Sequence, residues 1–462
     1  MAGHPSQDCI ELVDKLLQEI EPVLAPIQQR LRDHPGRPAE TSLKALLGYV
    51  LLNSMASNRA RLTDVCRVAS ALPDDVRAGW GDASPKVTYK RLVRLFGRAA
   101  KLLADPDALN GVYGGGASLD IFNLFATDAL VAQVDASGID VGGGVAFDGT
   151  VLRSPSLQDG DAQLGHYPSK EGETPFAHGY EAHAAITTRT RQDIDVPQVA
   201  VALAFQANHT GERVAIRDIL INQKDRIDVA VFDAGYDFKG ERSFEKLHHH
   251  GIAPIFDPKK NLRSGGSHNG KILRDGDAFC PQTPRHLLDL PLHPKGASKQ
   301  DRDALTAKYD QRARYMMERV EHIEGRVRSL CPAQAGKIVC PQVETSLTLS
   351  PKKAPIEVVP PDDPPKCCTQ KTTSTPERML QRSRQGRYPY GTSAFMAQYG
   401  QRNRSESYFS QIKHNSGNIV AKGWTLLTGR TKVGLMFLVE LLAENARAFE
   451  RFRNKKTRNK KT

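Results

Sequence analysis

Long apolar segments are absent from this sequence of 462 residues. A membrane-spanning helix needs about 20 consecutive apolar residues, and no run approaches that length, so we expect no membrane partner. The segment from Met1 to Asp14 carries acidic residues and lacks the apolar stretch of a secretory signal peptide. We therefore expect the protein to stay in the cytoplasm.

The cysteines are too scattered for a disulfide framework. There are seven of them, an odd number at irregular spacings, and thiols are normally reduced in the cytoplasm. They are Cys9, Cys66, Cys280, Cys331, Cys340, Cys367 and Cys368.

Net charge is the unusual feature of the composition. Hydrophobic residues make up 39% and charged residues 25%, as in ordinary globular proteins, and the length allows two or three domains. However, 64 lysines and arginines face 52 aspartates and glutamates, which gives a net charge of +12. Such a surplus favours a polyanion partner, because each phosphate contact releases condensed counterions. The alternative is a well-solvated basic surface.

Residues 8–104 show the apolar spacing of helices, and the segment 86–103 is the most informative. At about 100° per residue, its basic side chains share one face and its apolar side chains the other. The basic face fits a phosphate backbone, although a solvated surface helix has the same pattern. The basic residues are Lys86, Lys90, Arg91, Arg94, Arg98 and Lys101. The apolar residues are Tyr89, Leu92, Val93, Leu95, Phe96, Leu102 and Leu103.

The pattern changes after a glycine-rich connector at Gly111–Ser118. Short apolar runs typical of buried strands then alternate with helical segments, which predicts an α/β core. The strand segments are 145–147, 182–187, 199–205, 229–232 and 252–256, and the helical ones are 213–223 and 241–250.

Residues 258–392 differ from the rest of the chain. They are rich in proline, lysine and arginine, and six prolines lie between Pro351 and Pro365. We predict an extended or loop-like insertion there. Helical spacing resumes at about residue 393, and a basic tail from Asn454 onward is expected to be disordered. The apolar face of the C-terminal helix comprises Leu435, Leu438, Leu442, Phe449 and Phe452.

Two aspartates each follow an apolar strand pattern. Asp148 comes after Val145–Phe147, and Asp233 comes after Val229–Phe232. An aspartate before a glycine is often only a turn residue. The pair becomes informative together with the predicted helix that follows residue 393.

That helix places Tyr399, Arg402, Glu406 and Lys413 on one strip at about 100° per residue. A simple Arg402–Glu406 surface pair is the alternative, but it leaves Tyr399 and Lys413 unexplained. We expect an apolar docking face of Phe395, Tyr408, Phe409 and Ile412. We expect a solvent face of Asn403, Arg404, Ser407 and Gln411.

Carboxylates of this kind suit divalent metal ions. Mg²⁺ prefers hard oxygen ligands and usually binds one or two carboxylates together with substrate phosphates. A pair of such ions stabilises the attacking and leaving oxygens of phosphoryl transfer. Asp148, Asp233 and Glu406 could hold them, while Arg402 and Lys413 anchor a DNA backbone.

The spacing Tyr399-x2-Arg402-x3-Glu406-x6-Lys413 resembles the Y-R-E-K signature of a large group of bacterial insertion-sequence DDE transposases. VAFDGT (145–150) and VFDAGYD (231–237) resemble the strands that supply the first and second aspartates of that family. The helical region 42–104 is similar, less specifically, to the domain that precedes such cores.

The resemblance implies an RNase H-like core, a mixed sheet flanked by helices, with a helical N-terminal domain. It implies that Asp148, Asp233 and Glu406 bind Mg²⁺, for which Mn²⁺ can substitute. Water would cut at the element end, and the freed 3′-hydroxyl would attack target DNA. It also implies DNA-bound homodimers associated with the bacterial nucleoid, and an insertion before the glutamate helix.

The expected domains follow from the changes of sequence pattern along the chain. They are a helical DNA-binding domain 1–110, a linker 111–140, a first core part 141–257, a Cys/Pro-rich insertion 258–392, a second core part 393–453 and a basic tail 454–462.

The insertion also holds candidate zinc ligands. Cys331, Cys340, Cys367 and Cys368, with Cys280 upstream, could form a structural site, although the spacing is irregular and free thiols are the alternative. His248–His250 suggest the end of a helix before Gly251 rather than a metal site.

Three functions fit this sequence. The first is an active DNA transposase. The second is a transposase-derived DNA-binding regulator that has lost catalysis, against which the intact triad argues. The third is an RNase H-like nuclease that hydrolyses DNA without joining it.

Overall fold

The computed structural model describes residues 5–33, 40–56, 59–109, 112, 120–166, 176–189, 195–207, 214–236, 246–256, 265–294, 296–323, 325–354, 356–380, 388–415 and 424–459. Within these ranges, no helix combines the length and the apolar character needed to cross a membrane. The chain is a mixed α/β protein that divides into two compact units. Unit 1 comprises Met1–Asp228 and Asn403–Thr462, and unit 2 comprises Val229–Arg402.

Unit 1 begins with helices. They are α1 (Gln7–Glu19), α2 (Glu21–Asp33), α3 (Leu43–Met55), α4 (Leu62–Ser70), α5 (Asp74–Gly79), α6 (Tyr89–Ala104) and α7 (Ile121–Ala136). Helix α3 is apolar all round and is therefore buried along almost its whole length. Ser42 fixes its start by accepting a hydrogen bond from the backbone N–H of Ala45 at 2.9 Å.

Four antiparallel strands and a helix follow in unit 1. They are β1 (Gly144–Arg153), β2 (Gln163–His166), β3 (Phe176–Thr187), β4 (Ala200–Ala207) and α8 (Val214–Asn222). Strand β3 is central, with β1 along one edge and with β2 and β4 along successive halves of the other. Its residues from Ala182 to Thr187 are all buried, because the strand is covered on both faces.

Unit 2 holds short strands and helices. They are β5 (Val229–Phe232), α9 (Lys246–His249), β6 (Ala253–Phe256), β7 (Gly265–His268), β8 (Lys271–Arg274), β9 (Asp277–Phe279), α10 (Arg285–Leu288), α11 (Lys299–Arg314), β10 (Glu318–Ile323), β11 (Arg326–Leu330), α12 (Lys366–Thr369), β12 (Thr372–Pro376), α13 (Glu377–Leu380) and α14 (Ser393–Tyr399). Strands β5 and β6 are parallel. Strands β7–β9 and β10–β12 form two antiparallel three-stranded sheets.

The prediction that 258–392 is extended or loop-like is wrong where its described residues form helices, above all in α11, and it did not indicate the sheets. Its strands and the helix α11 enclose buried clusters of their own. The sequence pattern did not indicate them, because buried ion pairs replace part of the apolar core. Arg312 bonds to Asp275 at 2.8 Å, and both side chains are almost completely buried. Between residues 351 and 365 the described part has neither helix nor strand, as its prolines predict.

The chain returns to unit 1 with α15 (Asn403–Ser410) and α16 (Arg430–Asn459). The predicted apolar face of the C-terminal helix, from Leu435 to Phe452, is buried as expected. The prediction of disorder from Asn454 is wrong as far as Asn459, because the helix continues to that residue. Lys455 there pairs with Asp195 at 2.7 Å. Residues 460–462 lie outside the described residues.

A single buried cluster runs through unit 1 from Ile10 to Ala446. The predicted N-terminal domain 1–110 therefore shares its core with the strands and with α16. The predicted linker 111–140 contains the helix α7, which is largely buried. Of the predicted connector Gly111–Ser118, only Val112 is described, and of the predicted helix 241–250 only residues 246–250 are.

Side chains of α7 and α16 bond to the backbone of β4. Asn445 accepts from the N–H of Ala200 at 2.8 Å and donates to its carbonyl at 2.9 Å. Asn123 accepts from the N–H of Phe205 at 2.8 Å, and Thr127 accepts from the N–H of Leu203 at 3.2 Å. The strand is thus bonded to β3 along one edge and to helix side chains elsewhere.

Candidate active site

Asp148 lies within strand β1 rather than after it, which corrects the sequence-based expectation. It is half-buried, stands opposite Ala184 of β3 and accepts a hydrogen bond from the N–H of Gly149 at 2.9 Å. The strand continues through Gly149 to Arg153 because β3 offers pairing partners along that whole length. The Asp-Gly pair therefore does not form a turn here.

Glu406 is exposed on α15, and α15 packs against β1 and β3. Arg404 fixes this helix by donating to the carbonyl of Thr187 at 3.0 Å and to that of Val196 at 2.6 Å. Tyr408 fixes its other end by donating to Asn445 Oδ1 at 2.8 Å. The prediction that Arg404 faces solvent is wrong. The predicted docking residues Tyr408, Phe409 and Ile412 are buried, as expected.

Lys413 lies within electrostatic reach of Asp148. It is half-buried, and this burial lowers the pKa of its ammonium group, while the carboxylate of Asp148 acts in the opposite direction. Unit 1 therefore places three of the predicted site residues on two packed elements: Asp148 on β1, Glu406 on α15, and Lys413 in the π-helical turn Gln411–Asn415 that continues α15.

The prediction of one uniform helix through Tyr399 and Lys413 is wrong. The chain passes from α14 through a 3-10 turn, Gly400–Arg402, into α15 and then into a π-helical turn. A 3-10 turn advances by about 120° per residue rather than about 100°. The angles calculated for a uniform α-helix therefore do not hold between Tyr399 and Lys413.

Asp233 directly follows β5, as predicted, and accepts a hydrogen bond from the N–H of Gly235 at 2.7 Å. Within unit 2, β5 packs against the turn Gly400–Arg402, so Arg402 belongs to an element that contacts the strand before Asp233. Tyr399 stacks on the buried ring of Phe395, with centroids 5.7 Å apart and planes 9° apart.

Helix α6 presents a basic face that differs from the predicted one at Arg91 and Arg98. Lys86, which precedes the helix, and Lys90, Arg94 and Lys101 on it are exposed. Arg98 is instead half-buried and donates to the carbonyl of Leu31 at 2.8 Å, and Arg91 pairs with Glu40 at 2.7 Å. On the opposite side, Leu92, Leu95, Phe96 and Leu103 are buried and Leu102 is half-buried, whereas Tyr89 and Val93 are exposed.

The cysteines of unit 2 group differently from the predicted zinc set. Cys280, Cys331, Cys340 and Cys368 line one small cavity. Cys367 does not line this cavity; it is buried in a cluster with Leu273 and Leu380, against which Cys368 also packs. Burial raises the pKa of the Cys280 thiol to about 12. Among the described residues, no three His, Cys, Asp or Glu side chains are already arranged so that they could hold a metal ion.

His248 and His249 end α9, as the sequence predicted. Gly251 adopts a positive φ of 79°, and the N–H of Ile252 bonds back to the carbonyl of Leu247 at 3.0 Å. This arrangement is a common helix C-terminus that favours glycine.

Unit 1 has a cavity of about 580 Å³, and the candidate carboxylates do not line it. It lies beside α7 and the start of β1, is lined by Val134, Val145 and Ile227, and has the Asp135–Arg226 ion pair on its wall. No pattern in the sequence indicated this cavity, or the contacts of Arg404 with residues about two hundred positions earlier in the chain.

Comparison with models of known protein families found no match, and comparison with curated protein sequences found none either.

Proposed function

We propose that the protein is a DNA transposase with an RNase H-like core, in which Asp148, Asp233 and Glu406 act together on DNA phosphodiesters. One observation carries most of the weight. Glu406 and Asp148 come from segments far apart in the sequence, yet they stand on a helix and a strand that pack together. The resemblance described above extends this pair to Asp233.

The donor set fits a hard divalent cation. Asp148 and Glu406 supply carboxylate oxygens, and neither position is deeply buried. Mg²⁺ prefers such ligands and keeps places for water and phosphate oxygens. When bound, the ion would neutralise the charge that develops on the phosphate during displacement. Mn²⁺ has similar oxygen preferences and would substitute.

Other residues would hold the DNA. The half-buried ammonium of Lys413 beside Asp148 can donate to a phosphate oxygen and balance the carboxylate charge. Arg402 and Tyr399 of unit 2 would contact the backbone. The exposed lysines and Arg94 at α6 would bind phosphates farther along the duplex, in keeping with the net charge of +12.

Handling both ends of a mobile element calls for two copies of the chain in the DNA complex. In each copy, water would first release a 3′-hydroxyl, and that hydroxyl would then attack the target strand. No covalent link between protein and DNA is needed.

The triad is tested with three single variants. We expect Asp148→Asn, Asp233→Asn and Glu406→Gln each to abolish Mg²⁺-dependent cleavage of a labelled duplex that covers the DNA flanking the gene. Gel-shift affinity for the same duplex should change little, because the phosphate-binding cations remain. Glu450→Gln is the matched control, since Glu450 is an exposed acid on α16.

Near wild-type nicking by any of the three variants would refute the triad. Cleavage without joining of the freed 3′ end to a target duplex would indicate a hydrolytic nuclease instead. Binding without any cleavage by the unmodified chain would indicate a regulator.

A further inference from the structure

Four cysteines of unit 2 face one enclosed space. Cys280 follows β9, Cys331 follows β11, Cys340 lies in the next loop, and Cys368 belongs to α12. The cavity they line has a volume of only about 10 Å³. A single water molecule needs about 10–15 Å³, so the space suits an ion rather than an organic ligand.

Three of these cysteines sit in similar turns. Each is followed by proline, and the chain then bends back to bond to the carbonyl of the cysteine. The donors are Thr283 N for Cys280 at 3.0 Å, Ala335 N for Cys331 at 3.0 Å, and Val343 N for Cys340 at 2.9 Å. Such turns fix the backbone at the three cysteines, while their side chains can still rotate.

The turns also direct backbone N–H groups at sulfur. The N–H of Gln282 reaches the sulfur of Cys280, and those of Ala333 and Gln334 reach the sulfur of Cys331. Backbone N–H groups in these positions could also donate to a metal-bound sulfur, as hydrogen bonds around metal ligands commonly do.

A buried cation lies nearby. Lys271 is completely buried, and its Nζ donates to the carbonyl of Thr373 at 3.3 Å. Burial lowers the pKa of this ammonium group to about 8, and the sulfur of Cys367, next to Cys368 in sequence, acts in the opposite direction. A zinc ion bound by four thiolates has a net charge of −2, so an adjacent ammonium would stabilise it electrostatically.

We propose that Cys280, Cys331, Cys340 and Cys368 bind one structural Zn²⁺ ion. Four thiols would release four protons and form four Zn–S bonds, without any change of oxidation state. Because the described side chains are not already grouped to hold an ion, the thiols would turn inward as the metal binds. The ion would tie together the two three-stranded sheets and the proline-rich loop between them.

The first test is metal content. The full chain, expressed with zinc in the medium and purified under reducing conditions, should contain one zinc per chain by elemental mass spectrometry. Replacement by Co²⁺ should give the intense thiolate charge-transfer and visible bands of a tetrahedral sulfur site. A chain that holds no zinc and gives no such spectrum would overturn the proposal.

The second test distinguishes the ligands from their neighbour. Cys280→Ser, Cys331→Ser, Cys340→Ser and Cys368→Ser should each lose the bound zinc or weaken its binding at least tenfold. Cys367→Ser is the matched control and should retain one zinc per chain, as should Cys66→Ser in unit 1. Loss of zinc in Cys367→Ser with retention in Cys280→Ser would refute the assignment.

If a ligand variant does not fold, the cobalt spectrum of the unmodified chain and the zinc content of Cys367→Ser still decide the question. Both readouts are independent of DNA cleavage, so this proposal and the transposase proposal can fail separately.

Discussion

Units 1 and 2 divide their apolar interiors differently. The core of unit 1 is a continuous apolar cluster in which rings such as Phe122, Phe205 and Phe437 pack together. The described part of unit 2 holds smaller apolar clusters, and Arg312, which is paired with Asp275, lies over a ring of one of them. Both units bury charged groups. Apolar volume should therefore contribute a larger share of the stability in unit 1 than in unit 2.

The largest expected effect tests the apolar side of this comparison. Phe205 is fully buried and contacts Phe122, Tyr180 and Phe437, with ring centroids 6.2, 5.5 and 6.1 Å away. Phe205→Ala should lower the free energy of unfolding by about 4 kcal/mol, because it leaves a cavity in the core. Denaturant titration followed by circular dichroism measures this loss. Phe205→Leu should cost clearly less, and equal costs would contradict the packing argument.

A somewhat smaller effect is expected for the buried pair of unit 2. Arg312→Met should lower the free energy of unfolding by about 3 kcal/mol, since the carboxylate of Asp275 stays buried without its main cation. The double variant Arg312→Met with Asp275→Asn should recover part of the loss. A double-mutant cycle with no coupling free energy between the two positions would show that this ion pair does not stabilise unit 2.

The smallest expected effect on the free energy of unfolding concerns the exposed ion pair between Asp195 and Lys455 in unit 1. Burial acts to raise the pKa of Asp195, but the hydrogen bond and charge of Lys455 outweigh it, so the pKa lies below its ordinary value. A lowered carboxylate pKa contributes stability above the unfolded-state pKa of about 4, and that contribution disappears as pH falls through the folded pKa. Asp195→Asn should cost less than about 1 kcal/mol at pH 7.

The same variant supplies the pH check. The difference in unfolding free energy between Asp195→Asn and the unmodified chain should shrink as the pH is lowered from 5 to 3. A difference that grows on acidification would show that the sign assigned to this group is wrong.

Apolar periodicity was sufficient to predict much of unit 1 from the sequence. It predicted the buried face of α16, the docking residues Tyr408 and Phe409, and, in unit 2, the strand before Asp233. These predictions succeeded because each depends on neighbouring residues within one element.

Features that depend on distant partners could not be predicted in the same way. Pairing with β3 extends β1 past Asp148, and contacts with Thr187 and Val196 turn Arg404 inward. The change from α-helix to 3-10 and π-helical turns between Gly400 and Asn415 has no marker in residue spacing. The cysteine cavity likewise depends on loops that meet only after the surrounding strands have formed.

The helix side chains on β4 have a consequence for self-association. An uncovered strand edge is a template on which another polypeptide can add a strand. At Ala200, Leu203 and Phe205, amide and hydroxyl groups of Asn445, Thr127 and Asn123 already occupy the backbone donors that such a strand would need. An added strand would have to displace the packed helices α7 and α16. The edge of β4 therefore resists the sheet-to-sheet growth that begins many protein aggregates.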